Sequence, residues 1–174
     1  QLVDDYADRW SADVNVEPLQ TALSRACMID AQCAALDTQI YLHLSAQHLA
    51  FSQEQLLQTL RTAGLQADTA SPVQYLNDET GQELARVFIR MDRAEAFTTF
   101  VVDIPRVPSQ AFERALQAAQ QLAHTLDATV VDDNGKPLSD TALALVRARL
   151  TDVSHKLTQA GMAPGSERAR RLFS

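Results

Sequence analysis

The stretch FTTFVVDIPRVPSQAFERALQAAQQLAHTLDATVVDDNGKPLS, Phe97 to Ser139, changes its apolar period twice, and each change marks a new element. From Thr99 to Pro105, Phe100, Val102 and Ile104 alternate with Thr99, Val101 and Asp103, the period-2 pattern of a strand covered on one face. Pro105 is expected to end it, because proline supplies no ladder donor. The period then becomes helical: Phe112, Leu116, Ala119, Leu122, Ala123 and Leu126 share one face, with Glu113, Arg114, Gln117 and Gln121 opposite and Ser109 placed to cap the start. Thr129-Val130-Val131 next runs into Asp132-Asp133-Asn134-Gly135 and Lys136-Pro137-Leu138. This predicts a β-hairpin in which Asn-Gly fills the two positive-φ positions of a type I′ turn.

Working outward, Gln39 to Leu44 alternates, with Ile40, Leu42 and Leu44 on one side and Gln39, Tyr41 and His43 on the other. Ser52 is expected to cap a helix and Gln55 to close a capping box; Leu56, Leu57 and Leu60 form its stripe and Gly64 its stop. Val73 to Leu76 reads as a short strand, 77–81 as a turn, and Ala85 to Arg93 as a longer strand. In that strand Val87, Ile89 and Met91 lie opposite Arg86, Phe88, Arg90 and Asp92. Past the hairpin, Asp140 is expected to cap a last helix carrying Leu143, Val146, Leu150, Val153 and Leu157, stopped by Gly161 and Pro164. The loop between the strands at 73–76 and 85–93 is too short for a parallel crossover, so the fold class is α+β, a mostly antiparallel sheet with helices packed on one face.

This organisation divides the chain into three expected parts. Residues 1–36 are an acidic N-terminal arm, anchored by Trp10, and a helix with Leu19, Leu23, Ala26 and Ile29 at helical spacing. Residues 37–160 are the α+β domain, and 161–174 a solvated tail in which Arg168, Arg170 and Arg171 are the only local basic excess.

With 174 residues, 46% of them hydrophobic, the chain can bury one sizeable core. A net charge of −7 argues against a surface devoted to nucleic acid or anionic lipid. Cys27 and Cys33 have no histidine nearby, so free thiols, buried or half-buried, are expected rather than a disulfide framework or a zinc site. No apolar run is long enough to span a bilayer. The chain opens at Gln1 without methionine, which suggests a fragment or processed form from which an anchor could have been left out.

Nothing in the sequence assembles a catalytic set. His43, His48, His124 and His155 fall on unrelated predicted elements, Asp132 to Gly135 lacks the alternating ligands of a calcium loop, and there is no glycine-rich phosphate loop. The expectation is a non-enzyme with no cofactor and no metal.

If helices cover one face only, Gln39, Tyr41, His43, Phe88, Arg90, Thr99, Val101 and Asp103 are displayed together on the other. Alternation alone leaves open whether this is a docking surface or a solvated sheet face. The element order, together with Glu54-Gln55-Leu56-Leu57 through Ala63-Gly64, Phe100 to Pro105, Ala118-Ala119-Gln120-Gln121-Leu122-Ala123 and Val130-Val131-Asp132-Asp133, resembles the ZipA C-terminal domain family over roughly residues 37 to 158.

That resemblance implies a split β-α-β sandwich whose helix-free sheet face binds the C-terminal tail of FtsZ, the bacterial tubulin homologue. It also implies a cell-division adaptor active in septation at the cytoplasmic face of the inner membrane, joined to it by an anchor absent from these residues. The alternative is an interaction domain of the same fold with a different peptide partner. Carried over by position, the family's groove residues fall on Gln39 and Tyr41, on Phe88, Arg90 and Asp92, on Val101 where the family has an aromatic, and on Gln74 and Leu76. Several of these are more polar or smaller than the family pattern, which leaves weaker, reoriented or lost FtsZ binding open.

Overall fold

The structure, a computed structural model, describes residues 9–10, 17–45, 53–66, 71–92 and 95–173. Backbone contacts divide the chain into two units, 1–35 and 36–174. The first holds nearly all of helix α1 (Leu19–Leu36), which forms where its leucine spacing predicts but buries no residue. Leu19, Leu23 and Met28 are exposed, as is Cys27, while Cys33 is half-buried. Trp10, expected to anchor the arm, is 75% exposed.

In the second unit the order is β1 (Gln39–Ser45), α2 (Gln53–Thr62), β2 (Leu65–Gln66), β3 (Val73–Asn77), β4 (Glu83–Asp92), β5 (Glu95–Asp103), α3 (Ala111–Thr125), β6 (Thr129–Val131), α4 (Asp140–Gln159) and α5 (Glu167–Leu172). The strands form one six-stranded sheet in the order β2-β3-β4-β5-β1-β6, antiparallel at every pairing. The expected α+β class is the one observed. The two-residue strand β2, too short to carry a period, escapes sequence reasoning.

Helix α3 lies across β4, β5, β1 and β6, and α2 rests on β2 and α3. The apolar face read from the sequence is the buried one: Phe112, Leu116, Ala119, Leu122, Ala123 and Leu126 meet Leu42, Val87, Phe100 and Val102 from the sheet. Leu56, Leu57 and Leu60 of α2 and Leu143, Val153 and Leu157 of α4 complete the core. Arg147 of α4 donates from Nε and Nη2 to the two carboxylate oxygens of Glu113 on α3, at 2.7 and 2.8 Å.

Element ends differ from the sequence reading in instructive ways. Gln110, not Ser109, occupies the N-cap of α3 and makes no side-chain bond. Ser139, one residue before Asp140, caps α4 by accepting from the Ala142 N–H. Strand β5 stops at Asp103, two residues before Pro105, as the chain turns with Arg106 and Val107 N–H donating to Asp103 O. Ser52 lies outside the described residues.

The Asp132–Gly135 turn is not type I′, because Gly135 is at positive φ and Asn134 is not. Gly135 N–H donates to Asp132 O, Asp132 N–H donates to Lys136 O, and the Asp132 carboxylate accepts from Asn134 and Lys136 N–H. The β3–β4 turn repeats this pattern bond for bond: Gly81 N–H to Asp78 O, Asp78 N–H to Gln82 O, and the Asp78 carboxylate accepting from Thr80 and Gln82 N–H. Hydrogen bonds to the charged form hold both carboxyls below the usual range, at Asp78 first through the Thr80 hydroxyl, which donates at 2.6 Å, and at Asp132 first through the Lys136 N–H.

The last segment is not the solvated tail expected from its arginines. Met162 and Ala169 are buried, Ser166 caps α5, and Gly165 N–H donates to Pro105 O at 3.0 Å.

Candidate functional site

Register places the open-face residues in rows across the sheet. One row runs Tyr41–Val101–Arg86–Tyr75, the next His43–Thr99–Phe88–Val73, and Gln39 stands opposite Asp103 at the end. Gln39, Tyr41, His43, Arg86, Phe88, Thr99 and Val101 line a shallow groove of about 430 Å³. Its walls are aromatic and exposed, with Tyr41 at 41% and Phe88 at 42%; its floor is Val101, at 6%.

Polar contacts hold the β1 wall. Tyr41 Oη donates to Gln39 Oε1 at 2.8 Å, and the Tyr41 and His43 rings lie nearly parallel, 11° apart, with centroids separated by 6.3 Å. The His43 imidazole bridges Thr99 Oγ1 and Asp133 Oδ1, each at 2.9 Å, and so ties the groove to the turn after β6. Fixing an aromatic wall before a ligand arrives lowers the ordering cost of binding.

At the other end the chemistry is ionic. Arg86 Nη2 donates to Asp103 Oδ2 at 3.3 Å, and Arg86 Nε lies 3.5 Å from Glu83 Oε1. Neither contact is short, and Arg86 Nε and Asp103 Oδ1 have no hydrogen-bond partner although both are buried. Burial pushes the Asp103 carboxyl up; the positive charges of Arg106 and Arg86 oppose that shift, and Asp37 and Glu83 add to it.

Gln39, Tyr41, His43, Phe88, Thr99 and Val101 are therefore brought together. Val101 and Asp103, expected to be displayed, point to the open side but are covered by their neighbours in the rows. Arg90 is exposed opposite Phe97 and does not line the groove, and the Asp92 side chain lies outside the described set. Gln74 and Leu76 face the core, and the Gln74 amide donates to Ser71 O at 2.6 Å. The exposed aromatic of that strand is Tyr75, 40% exposed in the same row as Tyr41. Carry-over from the resemblance puts Gln74 and Leu76 on the groove side; the structure turns them inward, and a local backbone acceptor explains how the Gln74 amide is tolerated there.

Among the described residues, no group of three or more His, Cys, Asp or Glu side chains is arranged to hold a metal ion. No described helix is long and apolar enough to cross a membrane. Compared with known families, residues 38–149 match the model described as ZipA, C-terminal FtsZ-binding domain. No curated protein matches the chain.

Proposed function

The chain belongs to the ZipA C-terminal domain family, and from that premise we propose that the open-face groove binds the C-terminal tail of FtsZ. The whole protein would then help tether or stabilise the division ring at the cytoplasmic face of the inner membrane, through an anchor outside these residues. The observation that carries the reading is the groove itself: two exposed aromatic walls over an apolar floor, on the sheet face opposite α3. An amphipathic peptide lays a few apolar anchors into such a groove.

The magnitudes favour weak binding. An aromatic side chain offers about 150 to 250 Å² of surface, so covering the exposed two fifths of Tyr41 and of Phe88 contributes about 2 kcal/mol each at about 25 cal/mol/Å². Tyr75 can add a similar amount at the groove edge. Ordering the peptide opposes these gains, which points to micromolar rather than nanomolar affinity.

Fluorescence anisotropy of a labelled FtsZ C-terminal peptide from the same organism tests the reading. Saturable binding to the native domain that Phe88→Ala weakens supports it. A native-like domain that ignores this peptide but captures another peptide through the same residues would replace FtsZ by a different partner.

A further inference from the structure

A second cleft, of about 350 Å³, is lined by Thr80, Gly81, Gln82, Glu83, Arg106, Val107 and Arg170. We infer that this cleft is a cationic subsite that takes a carboxylate of the peptide bound in the open-face groove, making the binding site bipartite. The inference rests on the proposed groove reading and adds to it a second contact region and a charge requirement on the ligand.

The positive charges there are built in. Arg106 closes the turn that ends β5, its N–H donating to Asp103 O. Arg170 comes from the C-terminal helix, which docks against that turn by a close backbone approach. A Cβ at Gly165 would stand 2.8 Å from Pro108 N and 3.0 Å from Val107 C, and Gly165 N–H donates to Pro105 O. With φ at +72°, this position favours glycine on both counts. Ser166 then caps α5 and buried Ala169 fixes its rotation, which delivers Arg170 to the cleft beside Arg106.

Neither arginine is locked in a close ion pair. Arg25, Arg86, Arg147, Arg149 and Arg171 all form ion pairs with carboxylates, whereas Arg106 and Arg170 form none among the described residues. In a chain of net charge −7, the cleft gathers two guanidinium groups against one lining carboxylate, that of Glu83, and the charge of Arg106 also acts on buried Asp103. The acidic side chain lining the cleft, Glu83, lies 3.5 Å from Arg86, which itself lines the groove. The two concavities thus meet at the Glu83–Arg86 pair. A peptide whose apolar anchors occupy the groove and whose acidic group lies past Arg86 would satisfy both.

The test is a binding cycle with the FtsZ C-terminal peptide and a version in which every carboxylate, side-chain or terminal, is replaced by its amide. Each is titrated against the native domain, Arg106→Gln/Arg170→Gln and Tyr41→Ala, at low and high salt. The double arginine variant is expected to melt like the native domain, to bind about three- to tenfold more weakly at low salt, and to lose most of the salt dependence. The amide peptide should bind the native domain more weakly but lose little further on the double variant. If the double variant keeps native affinity and salt dependence while Tyr41→Ala still weakens binding, the cleft is not a subsite and the groove stands. If Tyr41→Ala leaves binding unchanged, the groove reading fails, and the bipartite site with it.

Discussion

On one face of the sheet Leu42, Val87, Phe100 and Val102 are sealed beneath α3, while on the other Tyr41, Tyr75 and Phe88 each keep about two fifths of their surface in water. Tyr41 and Phe88 come from the same strands as Leu42 and Val87, one residue out of phase. The open face is not uniformly open, however. Val101 and Asp103 sit on it and are as buried as core residues, because Tyr41, Arg86 and their neighbours in the cross-strand rows cover them. Alternation assigns a side chain to a face; whether water reaches it depends on the size of its cross-strand neighbours.

The largest effect should follow from breaking the covered face. Phe100→Ala leaves a cavity under α3 and is expected to cost about 3 to 5 kcal/mol in chemical denaturation. A loss below about 1 kcal/mol would mean that α3 does not seal that face. Next comes Val101→Asp, which places a carboxylate on the groove floor. It is expected to lower stability by at least about 2 kcal/mol as well as binding, because the position is buried despite its facing. A native melting curve would show that the floor is wet and the two faces more alike than described.

Tyr41→Ala should separate the faces in the other direction. It removes an exposed wall, so peptide affinity should fall at least about tenfold while unfolding free energy changes by less than about 1 kcal/mol. A large stability loss with intact binding would reverse the roles of the two faces.

The smallest effect concerns Asp103. Its pKa is raised on folding, so the folded protein holds that proton more tightly than the unfolded chain does. The resulting stability is present at low pH and is lost as pH rises from the ordinary value of 3.8 through the folded value. Asp103→Asn cannot ionise, so its stability relative to the native protein should improve across that window in a pH series of denaturation curves. A gap independent of pH would mean that Arg86 and Arg106 offset the burial completely.

The covered face was legible in the sequence because helix and strand periods converge on it: Phe112, Leu116, Leu122 and Leu126 of the helical stripe and Phe100, Val102 and Ile104 of the strand are buried as their spacing demands. The first wall of the groove was legible for the same reason, from Gln39, Tyr41 and His43. The remainder turns on contacts that no local pattern carries. Gln74 hides its amide on Ser71 O and so reverses the apparent facing of β3. Arg86 becomes a groove residue by standing opposite Val101. The C-terminal arginines look like a tail until the Gly165 approach to Pro108 packs their helix down. The Asn134-Gly135 pair suggested a type I′ turn, but a preceding aspartate that accepts two backbone N–H groups selects a turn in which only glycine needs positive φ, and Asp78 does the same at Gly81.

The difference between the faces is tested most directly by an NMR titration of the folded domain with the FtsZ C-terminal peptide. Saturating shifts clustered at Tyr41, Arg86, Phe88, Thr99 and Val101, with α3 and α4 unmoved, are the predicted result. Shifts confined to the helical side, or none in a folded sample, would contradict it.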